Sequence, residues 1–99
     1  MFVEKEIQIF KNLADATRFK IVEFLLDGEK CVCEIFPKVN RTQSTVSIHL
    51  ATLERAGIVC SRRDGKKVKY RIVDEKVFGV LRAVGNKKAI KIGIRCCKK

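Results

Sequence analysis

Along the first half of the chain apolar residues recur every three or four positions, the spacing that gathers them on one face of a helix. Phe2, Val3, Ile7 and Phe10 predict a first helix ending near Leu13. A second follows, with Asp15 as its N-cap, Phe19, Val22, Leu25 and Leu26 as its apolar stripe, and Gly28 where a left-handed C-terminal residue is wanted. Cys31 to Phe36 forms a short third segment that Pro37 interrupts or turns. Asn40 and Arg41 lead into the most regularly patterned helix, capped by Thr42, striped by Val46, Leu50, Leu53 and Ala56, and stopped by Gly57.

From Ile58 the period shortens. β-Branched and basic residues flank Asp64-Gly65, a dipeptide favoured in two-residue hairpin turns, so Val59 to Arg63 and Lys67 to Ile72 are predicted strands. Asp74 caps a further helix carrying Val77, Phe78, Leu81 and Val84 and closed by Gly85-Asn86. Beyond it Ile90, Ile92 and Ile94 alternate with Lys91, Gly93 and Arg95, which fits a strand better than a resumed helix. Two helices joined by a tight turn and followed by a basic hairpin is the order of a winged helix-turn-helix. The expectation is one mainly α domain with a small β-hairpin over residues 1–99, of which 85–99 form a basic, cysteine-containing tail.

Charge sharpens this picture through its distribution. Residues 1–59 hold eight Lys/Arg against eight Asp/Glu, whereas residues 60–99 hold 14 against three, the whole of the +11 surplus. A solvated basic face kept for solubility would look similar, but beside a DNA-reading motif the asymmetry points to a polyanionic partner. No apolar run approaches the roughly 20 residues of a membrane span, and the start lacks a basic region followed by an apolar signal segment. A cytoplasmic location is expected. So short a domain also gains from an interface with a second copy.

In the helix-turn-helix the third segment supports and the fourth reads. With Val46, Leu50 and Leu53 turned to the core, Ser44, Ser47, Ile48 and Ala51 face away, and their short side chains allow close approach to a groove. Gln43 presents a carboxamide suited to an adenine edge, while Thr42, Ser44 and Ser47 offer hydroxyls to phosphates or bases. Ile48 either packs on a thymine methyl or is one of the single exposed apolar residues common on surfaces. His49 lies beside the core stripe and is assigned to packing or DNA contact. Arg62, Arg63, Lys66 and Lys67 surround the hairpin tip, a wing expected to hold phosphates and supply affinity rather than sequence choice. Lys69 and Arg71 follow on the return strand, where Tyr70 packs its ring. Double-stranded DNA is the expected partner.

Five cysteines are many for so short a chain, and an odd number leaves at least one unpaired in a monomer. In a reducing compartment clustered thiols indicate metal or redox chemistry ahead of a disulfide framework. Cys60, among strand-forming residues, is read as structural, since free cysteine is a common core residue. Cys31 and Cys33 stand two apart. On a regular helix such residues point nearly opposite ways, so both can reach one ion only if that turn distorts, beside the reading helix. On the residues alone the leading reading is that one of the pair packs in the core and the other is incidental; if they bind an ion, thiolates without histidine select thiophilic ones, with arsenic(III) or antimony(III) favoured and cadmium or lead the alternatives. Cys96 and Cys97 lie where Arg95, Lys98 and Lys99 favour the thiolate; they complete the Cys31/Cys33 site, form a second site, or make a redox-sensitive end. An enzyme is not indicated, because one histidine without a nucleophile partner, no Gly-rich phosphate loop and no carboxylate pair in context make no catalytic constellation.

Four segments in order, Leu13-Ala14-Asp15-Ala16-Thr17-Arg18, Cys31-Val32-Cys33-Glu34-Ile35, Thr42-Gln43-Ser44-Thr45-Val46-Ser47-Ile48-His49-Leu50 and Ala56-Gly57-Ile58-Val59, resemble the ArsR/SmtB family. The resemblance runs from about Leu13 to Ile72. It implies a homodimer built on the first and last helices, with transcription repressed until a metal binds. Cys31 and Cys33 match the cysteine pair at the start of the third helix used by the family's arsenic, antimony, cadmium and lead sensors. Where a third cysteine often stands this chain has Phe36, and the last-helix zinc site of Asp and His finds no match, since Asp74 and Glu75 are followed by no histidine. Many relatives carry a polar or basic residue in place of Ile48.

The expected activity is therefore a homodimeric transcriptional repressor released from its operator by a thiophilic metal or metalloid on Cys31 and Cys33, with Cys96 and Cys97 as further ligands. The alternatives are a repressor switched by cysteine oxidation, or a basic nucleic-acid-binding protein with no inducer.

Overall fold

The computed structural model describes residues 2–90. Its elements are α1 (Phe2–Leu13), α2 (Ala16–Leu25), β1 (Lys30–Cys31), α3 (Val32–Lys38), α4 (Gln43–Arg55), β2 (Val59–Asp64), β3 (Lys67–Ile72) and α5 (Lys76–Ala83), with residues 87–90 again helical. This is a winged helix-turn-helix, in which α3 and α4 form the motif and β2 and β3 the wing.

The core lies where α2, α3, α4 and α5 meet the base of the sheet. Ile21, Val22, Ile35, Val46, Leu50, Leu53, Ile58, Val77 and Leu81 are fully buried there. At roughly 1.5–3 kcal/mol for each large aliphatic side chain, this burial is what holds short helices that would not persist alone. Thr42 caps α4 by accepting from the Thr45 backbone N–H at 3.2 Å. At the far end Gly57, at φ +80°, lets the Ile58 N–H reach back to the Leu53 carbonyl at 3.0 Å while its own N–H bonds to Glu54. This double bond to the last turn, sealed by buried Leu53 and Ile58, sets the direction in which β2 leaves the helix.

The sheet is antiparallel, ordered β1-β3-β2, and its first strand has no counterpart among the sequence expectations. Cys31 pairs with Lys69 in the β1–β3 ladder, so it is extended rather than helical, and α3 begins one residue later than predicted. Pro37 does not interrupt α3. It sits in the last turn, where its missing N–H costs only one bond, to Cys33. The hairpin is also shifted by one residue. Asp64 pairs with Lys67, which leaves Gly65 and Lys66 as the loop, and only Gly65 takes a positive φ, as a type II′ turn requires.

The end of the described chain departs further. α5 starts at Lys76 with Glu75 in the capping position, and Asp74 reaches forward to the Lys76 N–H at 3.0 Å. Val84 falls off the apolar stripe and is 69% exposed, because α5 has ended at Ala83. Helix then resumes where a strand was expected. Asn86 caps it through the Ala89 N–H at 3.0 Å and donates to Glu23 of α2 at 2.8 Å, burying Ala89. Ile92 and Ile94 of the predicted strand, and Cys96 and Cys97, lie outside the described residues. So do the side-chain surroundings of Phe2 and Val3.

Asp15 caps α2 by accepting the Arg18 N–H at 3.0 Å, and that bond holds its carboxyl below the ordinary range. Asp15→Ala should destabilise the fold by about 1 kcal/mol in urea unfolding at neutral pH and fixed protein concentration. Since the folded pKa is depressed, this contribution is present above the unfolded carboxylate value and is lost as pH falls through the folded one. The gap between wild type and variant should close in acid; a gap that persisted would show that the carboxylate is not its source.

Candidate functional site

The outer face of α4 is as short and polar as its inner face is apolar. Gln43, Ser44, Ser47 and Ala51 are exposed, and Ile48 stands among them at 67% exposure. The Thr42 hydroxyl is partly committed, because it caps the helix and also bonds to the Thr45 hydroxyl at 3.0 Å. His49 turns inward. An Arg18 guanidinium nitrogen lies 3.2 Å from its Nδ1, and since arginine only donates, Nδ1 accepts. Arg18 also donates to the Asn12 and Lys11 carbonyls at 3.0 and 3.5 Å, so it ties the recognition helix to the α1–α2 corner. This positioning role of Arg18 carries no local sequence signal, because its partner is 31 residues away.

The wing cations are not equivalent. Arg62 makes two bonds to the Glu29 carboxylate, at 2.7 and 2.8 Å, and Lys69 pairs with Asp64 at 3.1 Å. Each arrangement holds its carboxyl below the usual range. Arg63, Lys66 and Lys67, at the tip, make no ion pair among the described residues. Arg62, grouped with them on sequence grounds, is instead anchored to the segment before β1.

Cys31 and Cys33 meet without any distortion of α3. Because Cys31 is the extended N-cap residue, its sulfur folds over the helix start and accepts the Cys33 N–H at 3.2 Å, while Glu34 accepts the Cys31 N–H at 2.9 Å. Residues two apart point in opposite directions only when both belong to a helix, and here only Cys33 does. The neighbouring Cys33 side chain pushes the Cys31 pKa down against the opposing effect of burial, and Cys31 pushes the Cys33 pKa up. Cys31 is buried and Cys33 exposed; Cys60 is half-buried on β2, paired with Arg71. A cleft of about 350 Å³ opens beside the pair, with Cys31 and Cys33 on one wall, Gln43 and Ser47 on another, and Lys66 and Lys67 on a third. Among the described residues no three His, Cys, Asp or Glu side chains come together as a metal site.

The family model for bacterial regulatory proteins of the arsR family matches residues 15–61. A transcriptional regulator of the helix-turn-helix type from Methanocaldococcus jannaschii, MJ1325, is 40% identical over 82 residues, covering 82% of this chain and 92% of that protein. The chain belongs to the ArsR/SmtB family.

Further relatives in that family include the arsenical resistance operon repressor of Escherichia coli, 45% identical over 67 residues, and a cadmium resistance regulatory protein CadC homolog of Staphylococcus aureus, 42% identical over 71. These alignments cover 67% and 71% of this chain but only 57% and 59% of those proteins. Among solved structures, HlyU from Vibrio cholerae superposes with a TM-score of 0.78 at 30% identity, covering 83% of this chain and 89% of that one. The homodimeric winged helix-turn-helix DNA-binding domain Mb0332 from Mycobacterium bovis does so with a TM-score of 0.76 at 29% identity, covering 87% and 82%. ArsR/SmtB proteins are transcriptional regulators, and no described helix of this one is long and apolar enough to cross a membrane.

The thiol pair makes a testable asymmetry. With Cys60, Cys96 and Cys97 replaced by serine, thiolate absorbance against pH should show the first ionisation below that of an ordinary thiol. Cys33→Ala removes the neighbouring thiol and should move this ionisation upward. An unchanged curve would mean that the two sulfurs do not interact.

Proposed function

We propose that this protein is a homodimeric repressor that leaves its operator when a thiophilic metal or metalloid binds Cys31 and Cys33. The observation that carries the reading is the placement of two adjoining thiols at the N-cap of α3, against the helix that reads DNA, in a chain related to arsenical and cadmium resistance regulators. Two cysteines lining one cleft suit a soft, thiolate-seeking ion, with arsenic(III) or antimony(III) favoured and cadmium or lead the alternatives. Cys96 and Cys97 are the candidates to complete the coordination. The likeness to a homodimeric domain supports dimerisation, as does the apolar surface left on α1, where Ile7 and Phe10 are 42% and 59% exposed.

DNA contact is assigned to Thr42, Gln43, Ser44, Ser47 and Ile48 in the groove, and to Arg63, Lys66 and Lys67 on phosphates, with His49 and Arg62 set back by their contacts to Arg18 and Glu29. Arg63→Ala or Lys66→Ala should weaken all duplexes alike and lower the salt-dependence slope by about 0.9 per lost phosphate contact. Gln43→Ala should instead blunt discrimination between operators, by about 1–3 kcal/mol if its contact is bidentate. Wing variants that changed sequence preference, with Gln43→Ala leaving it intact, would reverse these roles.

An ion releases DNA only by binding the free protein more tightly than the DNA-bound one. In fluorescence anisotropy with a reductant present, Cys31→Ser and Cys33→Ser should keep operator binding and lose the response to the ion, whereas Cys60→Ser should keep both. Joint replacement of Cys96 and Cys97 reports whether the tail supplies ligands. A Cys31/Cys33 double variant released normally by arsenite, antimonite, cadmium and lead would disprove the assignment.

A further inference from the structure

The cleft beside the thiol pair is walled by the side chains assigned to DNA. Gln43 and Ser47 are the first outward residues of α4, Lys66 and Lys67 stand at the wing tip, and Cys31 and Cys33 close the space between them. A duplex that engages the start of α4 and the wing together must cross the mouth of this cleft. Cys33 is exposed and lines this cleft, so a group attached to its sulfur would compete for the space between α4 and the wing.

Resting on the proposed function, we propose that thiol occupancy and operator binding exclude one another by direct obstruction of this shared cleft, making exposed Cys33 a modification site that switches DNA binding with or without a metal. The Cys31 sulfur already lies over the Cys33 N–H and both cysteines line the same cleft, so an ion reaching both need not first unwind α3. Obstruction also changes the form of the response. A conformational coupling has a ceiling, typically about 5- to 150-fold, because the liganded protein still binds DNA. Mutual exclusion has none, and the apparent operator Kd rises with the factor 1 + [L]/Kd of the occupant for as long as more is added.

The test needs no metal. In the full chain carrying Cys31→Ser, Cys60→Ser, Cys96→Ser and Cys97→Ser, Cys33 is the remaining thiol, and serine keeps a good N-cap on α3. Its sulfur is converted to a methyl disulfide with methyl methanethiosulfonate, or alkylated with iodoacetamide or N-phenylmaleimide. Each product is compared with the same variant unmodified. Operator binding should fall with adduct size, reaching about tenfold or more for the phenylmaleimide product. Conversely, saturating operator should slow iodoacetamide alkylation of Cys33 in the wild-type chain, read by peptide mass spectrometry, and leave Cys60 unchanged. Full operator binding by the bulkiest adduct, or alkylation of Cys33 at the same rate on DNA, would overturn the proposal. If arsenite, antimonite, cadmium and lead release the operator from wild type while adducts do not, the metal reading stands and release runs through distortion. If adducts block and none of those ions acts, the shared cleft stands and the metal reading fails.

Discussion

Val46, Leu50 and Leu53 are sealed from solvent on one face of α4, and the remaining geometry follows from that seam. A helix held by three consecutive turns of its apolar stripe has one rotational setting, which turns Ser47, Ile48 and Ala51 outward. Losing one of these anchors as Leu→Ala would cost roughly 2–5 kcal/mol, a large part of the stability of so small a domain. The recognition surface is thus fixed by the core behind it. The Gly57 turn extends the same control to the wing, because the Ile58 N–H bonded to Leu53 ties the start of β2 to the end of α4.

Charge is organised around this frame at two levels. The surplus of basic residues after position 59 favours a polyanionic partner. Within it, individual cations have different duties. Arg62 and Lys69 are matched to carboxylates and brace the hairpin, whereas Arg63, Lys66 and Lys67, the cations proposed to meet phosphates, make no ion pair among the described residues. An exposed ion pair contributes little to stability, so the consequence of the Glu29–Arg62 bonds is orientation. They fasten the outer strand of the wing to the segment from which the thiol site rises.

That thiol site depends on an unusual choice of N-cap. A cysteine sulfur stands where an oxygen is customary, and ordinary capping geometry lays it over the Cys33 N–H, one residue into the helix that carries the second thiol. Cys31 can hold this position because β1 removes it from the helix and pairs it with Lys69. Sheet, helix start and thiol pair are one local structure, and it adjoins the DNA-reading end of α4. The proposed sensing and reading sites therefore share a cleft, without a long path between them.

Periodicity, capping residues and turn chemistry were enough to read α1, α2, α4 and the hairpin, because each is specified by neighbours within a few residues. The Asp15 and Thr42 caps and the Gly57 stop are of this kind, and so is the short outer face of α4. Contacts between distant residues were not legible. A two-residue strand has no period of its own, so β1 emerged only once β3 was present to pair with it, and with it the true position of Cys31. The Gly65-Lys66 loop was decided by cross-strand register, the resumption of helix at 87–90 by the Asn86 bond to Glu23, and the fates of His49 and Arg62 by partners more than 30 residues away. The sequence determined which residues carry sulfur, charge and short polar side chains. Only tertiary structure decided which of them face the same cleft, because that depends on strand pairing and packing between segments that local patterning leaves independent.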